Sequence, residues 1–213
     1  MIRWDVIAGN LPLLGSKLVE HVQLTVVAVA VGLVLSALAV LAIRRRRTLA
    51  GPLTGLAGFL YTIPSLALLA FLVPITGLSF ATAEIALVSY TLLILTRNIL
   101  AGLDAVPAEV RETAEAMGYG PARRLWLVEV PLALPLIVAG IRLATVTTIG
   151  LTMVTAVVGI GGLGQVMLRG FNFRNETLVY AGFVLTVGLA LLADIGLGWL
   201  GRRLSPWAAK AGG

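Results

Sequence analysis

A run of twenty uncharged residues, 24–43, is followed directly by four consecutive arginines, Arg44 to Arg47. A helix needs roughly 20 mostly apolar residues to cross the hydrocarbon core of a bilayer, and basic residues tend to remain on its cytoplasmic side. The composition agrees, because only 12% of the 213 residues are charged, against about 25% in soluble domains. We therefore interpret residues 1–213 as a single integral membrane domain.

Four further apolar stretches follow the first, so we predict an all-α protein with five transmembrane helices. Pro64 lies in the second stretch, which we expect it to kink at most, and a polar segment, 104–131, separates the third from the fourth. The predicted spans are about 18–43, 53–73, 80–100, 132–160 and 177–200.

The basic residues orient these spans. With the end that carries Arg44 in the cytoplasm, five alternating spans put eleven basic residues inside and four outside. The eleven are Arg44, Arg45, Arg46, Arg47, Arg97, Arg111, Arg123, Arg124, Arg202, Arg203 and Lys210, and the four are Arg3, Lys17, Arg169 and Arg174. We therefore predict that the N-terminus lies outside, the C-terminus inside and the polar segment in the cytoplasm.

The polar segment has the pattern of a helical hairpin. Pro107 suits the first turn of a helix, strong helix formers follow it, and Gly118 provides a C-terminal cap in the left-handed conformation. Pro121 then begins a second short helix, which we expect to run to about Glu129 and to end at Pro131.

The first hairpin helix carries an apolar stripe, made of Val106, Val110, Ala114 and Met117, which recur every three or four residues. Such a stripe needs a cover. Either it packs on the cytoplasmic ends of the chain's own spans, or it inserts into a groove on another protein. The residues alone favour neither interpretation.

The hairpin resembles the EAA motif of ABC importer permeases, E-A-A-x3-G-x9-I-x-L-P. Glu112, Ala114, Gly118 and Pro131 match the motif at its spacing, Thr113 replaces the first alanine, and valines replace the isoleucine and the leucine. Five spans with the motif between the third and the fourth also resemble the smaller type I importers, such as the methionine permease, over nearly the whole chain.

The resemblance implies a multi-pass subunit of the bacterial plasma (inner) membrane, whose hairpin docks as a coupling helix into a cleft on a cytoplasmic ABC ATPase dimer. The residues it assigns to this contact are Glu112, Thr113, Ala114, Met117, Gly118 and Pro131. It also implies a second permease subunit, identical or different, and an extracytoplasmic substrate-binding protein. The partner would bind ATP, so we expect the permease to need no cofactor and to work by alternating access.

The sequence offers no enzymatic site. A phosphate-binding loop needs G-x4-G-K-[ST], and neither Lys17 nor Lys210 lies in that context. The glycine-rich stretch GIGGLG, 159–164, follows an apolar span rather than a strand, so we interpret it as a flexible extracytoplasmic turn or gate. His21 is the only histidine and cysteine is absent, so we expect no catalytic residue and no metal site. The positive charge orients the chain in the lipid bilayer, and we expect no binding of nucleic acid.

Several stretches resemble a narrower subgroup, the permeases of osmoprotectant importers for glycine betaine, carnitine or choline. They are TIPSLALLAFLVPITGL at 62–78, the segment 130–164 and MLRG at 167–170. Methionine permeases share parts of them, so an importer for methionine or another amino acid is the alternative. The resemblance implies that a tight aromatic cage for the quaternary ammonium group belongs to the binding protein, and that the permease needs only a weak polar route.

Residues that line or gate such a route would carry hydroxyl groups or adaptable backbone. The candidates are Tyr90, Thr145, Thr148, Thr152, Gly161 and Gly162. The competing interpretation assigns the tyrosine to packing or an interfacial belt, and the threonines to hydrogen bonds between helices.

Charges inside the predicted spans need partners, since an arginine facing lipid in mid-span costs about 2.5–3.5 kcal/mol. Arg142 and Asp194 are a candidate pair by sign, Arg97 is placed to snorkel to the cytoplasmic interface, and we expect Glu84 to reach the outer interface. An ion-coupled secondary carrier that uses Arg142 and Asp194 is a further alternative, although such carriers often show internal repeats and none is evident.

Overall fold

The computed structural model describes residues 3–207, and helices make up nearly all of that part. The α-helices are α1 Trp4–Gly9, α2 Leu11–Arg45, α3 Ala50–Thr62, α4 Ser65–Thr76, α5 Phe80–Asp104, α6 Ala108–Ala116, α7 Pro121–Arg124, α8 Val130–Thr155, α9 Leu163–Asn172 and α10 Glu176–Leu204. Short 3₁₀ segments occupy Arg47–Leu49 and Ala156–Val158. No strand occurs between residues 3 and 207, so the all-α prediction is confirmed, whereas Lys210 lies outside the described residues.

Within residues 3–207, four helical segments are long and apolar enough to cross a membrane, or five if one bent pair counts as a single span. The four are Leu11–Arg45, Phe80–Asp104, Pro121–Val158 and Glu176–Leu204. Large apolar side chains such as Leu38 and Leu192 are exposed on these helices, and Phe59 is exposed on α3 of the bent pair, as expected where lipid is the solvent.

The second predicted span is not one helix with a slight kink, and this prediction is wrong. α3 and α4 meet at 96° across a break at Ile63 and Pro64. Ile63 has φ −68° and ψ 127°, the extended conformation into which a proline ring pushes the preceding residue. The Tyr90 hydroxyl donates a hydrogen bond to the Ile63 carbonyl at this break.

The second hairpin helix does not end at Pro131, which is a second correction. α7, a π-helical segment Leu125–Glu129 and α8 form one continuous helix, Pro121–Val158. In an α-helix the ring of Pro131 would clash with the carbonyl of Leu127, and the wider π turn, which bonds residue i to i+5, relieves that clash. The fourth span and the second arm of the hairpin are therefore parts of one helix.

α5 packs along both α2 and α8, and two clusters of buried residues give the helix directions. One cluster contains Leu24, Ala28, Ala83, Leu87 and Ile160, and the other contains Val40, Ile99, Leu103 and Ala133. α2 and α5 therefore run in the same direction and α8 runs in the opposite one. We call the end of the bundle near Arg44 and Glu129 the hairpin end, and the end near His21 the far end.

Small residues allow these helices to approach closely. A Cβ atom on Gly32 of α2 would lie 1.9 Å from Oγ1 of Thr91 on α5, and a Cβ atom on Gly140 of α8 would lie 2.4 Å from Cβ of Asn98. No side chain larger than hydrogen fits at either position, and close backbone approach of this kind is a common way for helices to associate in membranes.

The connection between α8 and α10 contains more structure than the sequence analysis assigned. A turn at 159–162 leads into α9, which packs against α10, and a Cβ atom on Gly182 of α10 would lie 2.5 Å from Cγ of Met167. The aromatic side chains of Phe171 and Phe173 are exposed at the end of α9.

Candidate functional site

The hairpin turns at Gly118, as predicted. Gly118 has φ +80°, a left-handed conformation that glycine adopts without steric cost. The N–H of Tyr119 donates to the carbonyl of Ala114 and the N–H of Gly118 donates to that of Glu115, at 3.0 and 2.9 Å. These two bonds form a Schellman cap, which satisfies carbonyls at the end of α6 that the helix leaves free.

The predicted apolar stripe, which extends from just before α6 to its C-cap, is covered in its first part and open at its tip. Val106 and Ala114 are each 4% exposed and Val110 is partly buried, whereas Met117 is 68% exposed. Other residues of the same chain therefore cover most of the stripe, as expected if it packs on the chain's own helices. Only its last residue is left open for a partner.

The other residues of the EAA-like pattern lie on different sides of the hairpin. Glu112 and Thr113 are exposed on α6, and the Thr113 hydroxyl donates to the carbonyl of Glu109 in the same helix at 2.7 Å. Gly118 forms the turn, and Pro131 lies partly buried in the first turn of α8. The structure thus brings Ala114, Met117 and Gly118 together at the tip, and places Pro131 on the arm that enters the bundle.

A buried cluster of ion pairs behind the hairpin escaped the sequence analysis. The side chain of Glu129 is fully buried, and it accepts hydrogen bonds from Arg44 and from Nε of Arg124, the latter at 2.8 Å. Nε of Arg111 lies 3.8 Å from Oε2 of the same carboxylate, and Arg124 also pairs with Glu115. A buried carboxylate costs several kcal/mol unless it is paired and hydrogen-bonded. Here Arg44 and Arg124 supply both the charge and the hydrogen bonds, and Arg111 adds a third positive charge within 4 Å without a hydrogen bond to the carboxylate.

The π segment explains how Arg124 reaches Glu129. In an α-helix, neighbouring side chains on one face are three or four residues apart, so a pair five residues apart would point to different sides. The π turn between these two residues bonds i to i+5 and brings them to one face. One sequence signal was available, since Glu129 stands alone between apolar neighbours in LWLVEVP. Nothing in the sequence indicates that Arg44, 85 positions earlier, is its partner.

At the far end, His21 joins three elements through neutral hydrogen bonds. Its ring is fully buried in α2, Nδ1 accepts from the N–H of Leu163 at 3.2 Å, and Nε2 lies 3.1 Å from the carbonyl of Ile149 in α8. An acceptor at Nδ1 and a donor at Nε2 define the neutral tautomer. A Cβ atom on Gly162 would lie 2.9 Å from Nδ1, so His21 fits here because residue 162 has no side chain.

The glycine-rich turn is packed rather than loose. Gly161 and Gly162 are buried, and a Cβ atom on Gly161 would lie 1.7 Å from Oε1 of Glu20. The hydroxyl of Thr155 donates to the carbonyl of Ile160 at 3.0 Å. We expected a flexible turn, and the structure instead has a packed one. The glycines have no side chains, so α2 packs directly against the backbone of the turn.

The predicted pathway residues do not form one group. Thr152 and Gly162 are neighbours beside His21, whereas Tyr90 lies at the break between α3 and α4. Thr145 and Thr152 donate to carbonyls four residues earlier in their own helix, at 2.8 Å in both cases, and Thr148 is buried. Neither hydroxyl therefore bonds across helices, and the assignment of these residues to a pathway stays a prediction.

Two predictions about charges in the spans have opposite outcomes. Arg142 and Asp194 form a two-pronged pair between α8 and α10, as their signs predicted. Glu84 does not reach the outer interface: it is buried in α5, and neither of its oxygens has a hydrogen-bond partner among residues 3–207. The expectation that Glu84 reaches the interface is wrong because it faces into the helix packing, a direction that span position alone does not reveal.

Residues 24–206 match the family described as the inner membrane component of binding-protein-dependent transport systems. The chain belongs to this family. It is therefore a membrane-embedded ABC importer permease, the class that the EAA-like pattern indicated. The family match covers every helix from within α2 to the end of α10.

Several relatives of the chain are named as permeases of osmoprotectant systems. The carnitine transport permease protein OpuCD of Listeria monocytogenes is 42% identical over 165 residues, covering 77% of this chain and 74% of that protein. The glycine betaine/carnitine/choline permease OpuCD of Bacillus subtilis is 40% identical over 171 residues, covering 80% and 75%. The osmoprotectant import permease OsmW of Salmonella typhimurium is 35% identical over 200 residues, covering 92% and 91%.

Solved structures share the fold at lower identity. A chain of the MetNI methionine ABC transporter in an inward-facing conformation superposes with a TM-score of 0.81 at 23% identity, covering 92% of this chain and 98% of that one. An amino acid ABC transporter superposes with a TM-score of 0.80 at 19% identity, covering 95% and 99%.

Proposed function

We propose that this permease carries glycine betaine, carnitine, choline or a similar quaternary ammonium solute into the cell, driven by a separate ATPase. The names of the relatives support this solute class, and so does the likeness of segments 62–78 and 130–164 to osmoprotectant permeases. The hairpin end faces the cytoplasm and the N-terminus lies outside, in accordance with the distribution of arginine and lysine.

The observation that carries the coupling role is the continuity of the hairpin with a membrane span. The tip at Met117 and Gly118 is exposed, and its second arm runs through the π segment into α8 without a break. A partner that grips the tip therefore acts on the end of a helix of 38 residues, which is about 57 Å long at 1.5 Å per residue.

The proposed cycle needs no chemistry in this chain. An ATPase dimer binds and hydrolyses ATP, and its closure draws together the hairpins of two permease subunits. The two subunits then open outward and accept the solute from a binding protein. Each state is favoured by different contacts, and ATP binding shifts the population between the two. The permease itself is not catalytic.

The turn at Gly118 offers a sharp test with a matched control. Gly118 has φ +80° and Gly120 has φ −65°, and a Cβ atom would meet nothing within 4 Å at either position. We expect Gly118→Val to abolish ATP-dependent uptake in proteoliposomes that contain the complete importer, because a β-branched residue is strongly disfavoured at positive φ. Gly120→Val should leave uptake close to wild type. Equal uptake by both variants would show that the conformation of the hairpin turn is not needed for transport.

The solute and the energy source are tested in the same proteoliposomes. We expect labelled glycine betaine, carnitine or choline to accumulate only when ATP and the binding protein are present. Accumulation of methionine alone would support the amino-acid alternative. Uptake that persists without the ATPase and collapses with an uncoupler would support the secondary carrier.

The orientation is tested by cysteine labelling, because the chain has no cysteine of its own. A cysteine at exposed Ala116 in the hairpin and another at exposed Gly9 in α1 report the two sides. In intact cells, a membrane-impermeant maleimide should label position 9 and leave position 116 unlabelled. The reverse pattern would overturn the proposed topology.

A further inference from the structure

Three segments that are distant in the sequence meet at the carboxylate of Glu129. Arg44 is the penultimate residue of α2, Arg111 belongs to α6, and Arg124 ends α7 on the arm that carries Glu129 itself. The three arginine side chains are 18, 26 and 18% exposed, and the carboxylate is 0% exposed. The first long helix, both hairpin arms and the start of α8 therefore share one buried anion.

The electrostatics make this junction specific. Removing one partner from a buried ion pair leaves an uncompensated charge, so the junction disfavours any arrangement in which α2 slides or rotates away from α8. Apolar contacts such as those around Val40 and Ala133 tolerate small shifts, but bonds from guanidinium groups have direction and length.

A second junction between α2 and α8 lies at the far end. His21 of α2 bonds to the carbonyl of Ile149 in α8 and to the N–H of Leu163 beyond the glycine turn. Residues 129 and 149 are separated by about 30 Å of helix at 1.5 Å per residue. α2 is therefore held to α8 at two well-separated points.

We propose that Glu129 is a positioning residue for energy coupling, which ties α2 to α8 so that a displacement of the hairpin moves both helices as one body. The buried bond to Arg44 makes this tie at the hairpin end, and His21 makes it at the far end. The inference rests on the proposed function, because it describes how the motion of the hairpin reaches the rest of the permease. Without the tie, the hairpin would move with α8 alone and α2 would lag behind.

The four consecutive arginines supply a matched test. Arg44 bonds to Glu129, whereas the neighbouring Arg46 is exposed and makes no ion pair among the described residues. Both substitutions, Arg44→Gln and Arg46→Gln, remove one positive charge from the same end of the same helix, so their effects on insertion and topology are alike. Only Arg44→Gln removes the buried bond.

The measurement is the amount of solute taken up per ATP hydrolysed, in proteoliposomes that contain the complete importer and labelled glycine betaine, with carnitine and choline as parallel probes. We expect Arg44→Gln to lower this ratio about fivefold or more, the lower end of the range for energetic coupling between sites. Hydrolysis should continue, and should depend less on the loaded binding protein. Arg46→Gln should match the wild type, and Arg44→Lys should recover part of the ratio because it restores a charge that can reach the carboxylate.

A merely structural role would change the yield of the assembled complex and leave the ratio unchanged for the complex that assembles. Equal ratios for Arg44→Gln and Arg46→Gln would therefore overturn the proposal. If Arg44→Gln fails to assemble, Glu129→Gln takes its place, since it keeps the shape of the side chain and removes the negative charge that pairs with Arg44 of α2. A wild-type ratio for that variant would also overturn the proposal.

A spectroscopic measurement separates failure of this inference from failure of the proposed function. Spin labels at Leu38→Cys on α2 and Ala116→Cys in the hairpin, both exposed positions, report the distance between the two elements in the isolated permease. We expect a narrow distribution in the wild-type background and with Arg46→Gln, and a broader one with Arg44→Gln. An equally narrow distribution with Arg44→Gln would overturn the tie even if ATP-driven uptake were demonstrated. If wild-type uptake were absent but the broadening were seen, the tie would stand and the proposed function would fall.

Discussion

The two ends of the bundle solve the same problem with different chemistry. At the hairpin end, α2 is held by a buried carboxylate and three arginines. At the far end, it is held by a neutral histidine, a backbone N–H and a glycine turn. The first junction gains strength from charge and depends on every partner being present. The hydrogen bonds of the second are between neutral groups, and it depends on the absence of side chains at the glycines.

The difference indicates how each junction responds to change. A charged junction loses much when one partner is removed, because the remaining charges stay buried. The neutral junction loses the two hydrogen bonds of His21, and each neutral hydrogen bond contributes only about 0.5–1.5 kcal/mol. Substitutions at the two junctions and at the hairpin turn test whether this contrast holds.

The largest effect is expected for Glu129→Ala. It leaves three arginines around an empty position, and breaking a buried ion pair by removing one partner costs about 3–5 kcal/mol. The matched control is Glu115→Ala, because Glu115 also pairs with Arg124 but its side chain is 58% exposed. An exposed pair contributes about 0–1 kcal/mol. Denaturation of the purified permease in detergent measures both, and equal losses would contradict the charged description of this junction.

A smaller loss is expected for His21→Phe at the far end. Phenylalanine keeps the ring but leaves the N–H of Leu163 without an acceptor, because Leu163 is the first residue of α9 and its N–H has no partner within that helix. An unsatisfied buried donor costs about 1–3 kcal/mol. Gln23→Ala, at an exposed position in the same helix, is the control in the same denaturation experiment. A loss as large as that of Glu129→Ala would remove the contrast between the two ends.

Within the glycine turn, we compare Gly162→Ala, which places a Cβ atom beside His21, with Gly159→Ala, which does not. Gly159 has φ +77° and ψ 11°, the left-handed region in which alanine is strained by about 1–2 kcal/mol. Gly162 has φ +80° and ψ −176°, a region essentially restricted to glycine, in which the strain is about 1–3 kcal/mol. A Cβ atom meets nothing within 4 Å at Gly159, but it would lie 2.9 Å from Nδ1 of His21 at Gly162. We expect Gly162→Ala to be the more destabilising of the two in a thermal unfolding measurement. Equal effects would mean that neither the backbone conformation of Gly162 nor the contact with the ring of His21 adds a cost at this position.

The smallest effect on stability is expected for Gly118→Ala in the hairpin. The same positive φ applies, with strain of about 1–2 kcal/mol, but the turn is exposed and opens without unfolding the bundle. Gly120→Ala is the control at negative φ. Hydrogen exchange of the hairpin amides should increase for Gly118→Ala only, while the global unfolding temperature stays close to wild type for both. A large shift of that temperature would show that the hairpin is part of the folding core.

Sequence reasoning succeeded where the cause was local. The cap at Gly118 depends on a few neighbouring residues, and its φ of +80° follows from the end of a helix at a glycine. The pairing of Arg142 with Asp194 was within reach because each is a rare charge in an apolar span. The 96° bend at Pro64 was underestimated, although the effect of proline on the preceding residue is local as well.

The remainder could not be predicted because it depends on packing between distant residues. Glu129 and Arg44 are 85 positions apart, and Leu163 and His21 are 142 apart. Four arginines in a row predict which side of the membrane they occupy, but the pattern gives each of them the same role. Only the path of α2 across the bundle selects Arg44 for burial. The inward direction of Glu84 has the same origin, since a small rotation of α5 would have turned it toward lipid.

The bend between α3 and α4 leaves peptide groups that need hydrogen-bond partners inside the bilayer. At 1.5 Å per residue, helices of 13 and 12 residues are about 20 and 18 Å long, each shorter than a hydrocarbon core of about 30 Å. Their junction therefore brings exposed peptide groups to a depth where water is scarce and an unbonded carbonyl is costly. Tyr90 meets that need from a neighbouring helix, since its phenolic hydrogen takes the place that a water molecule would fill at the carbonyl of Ile63.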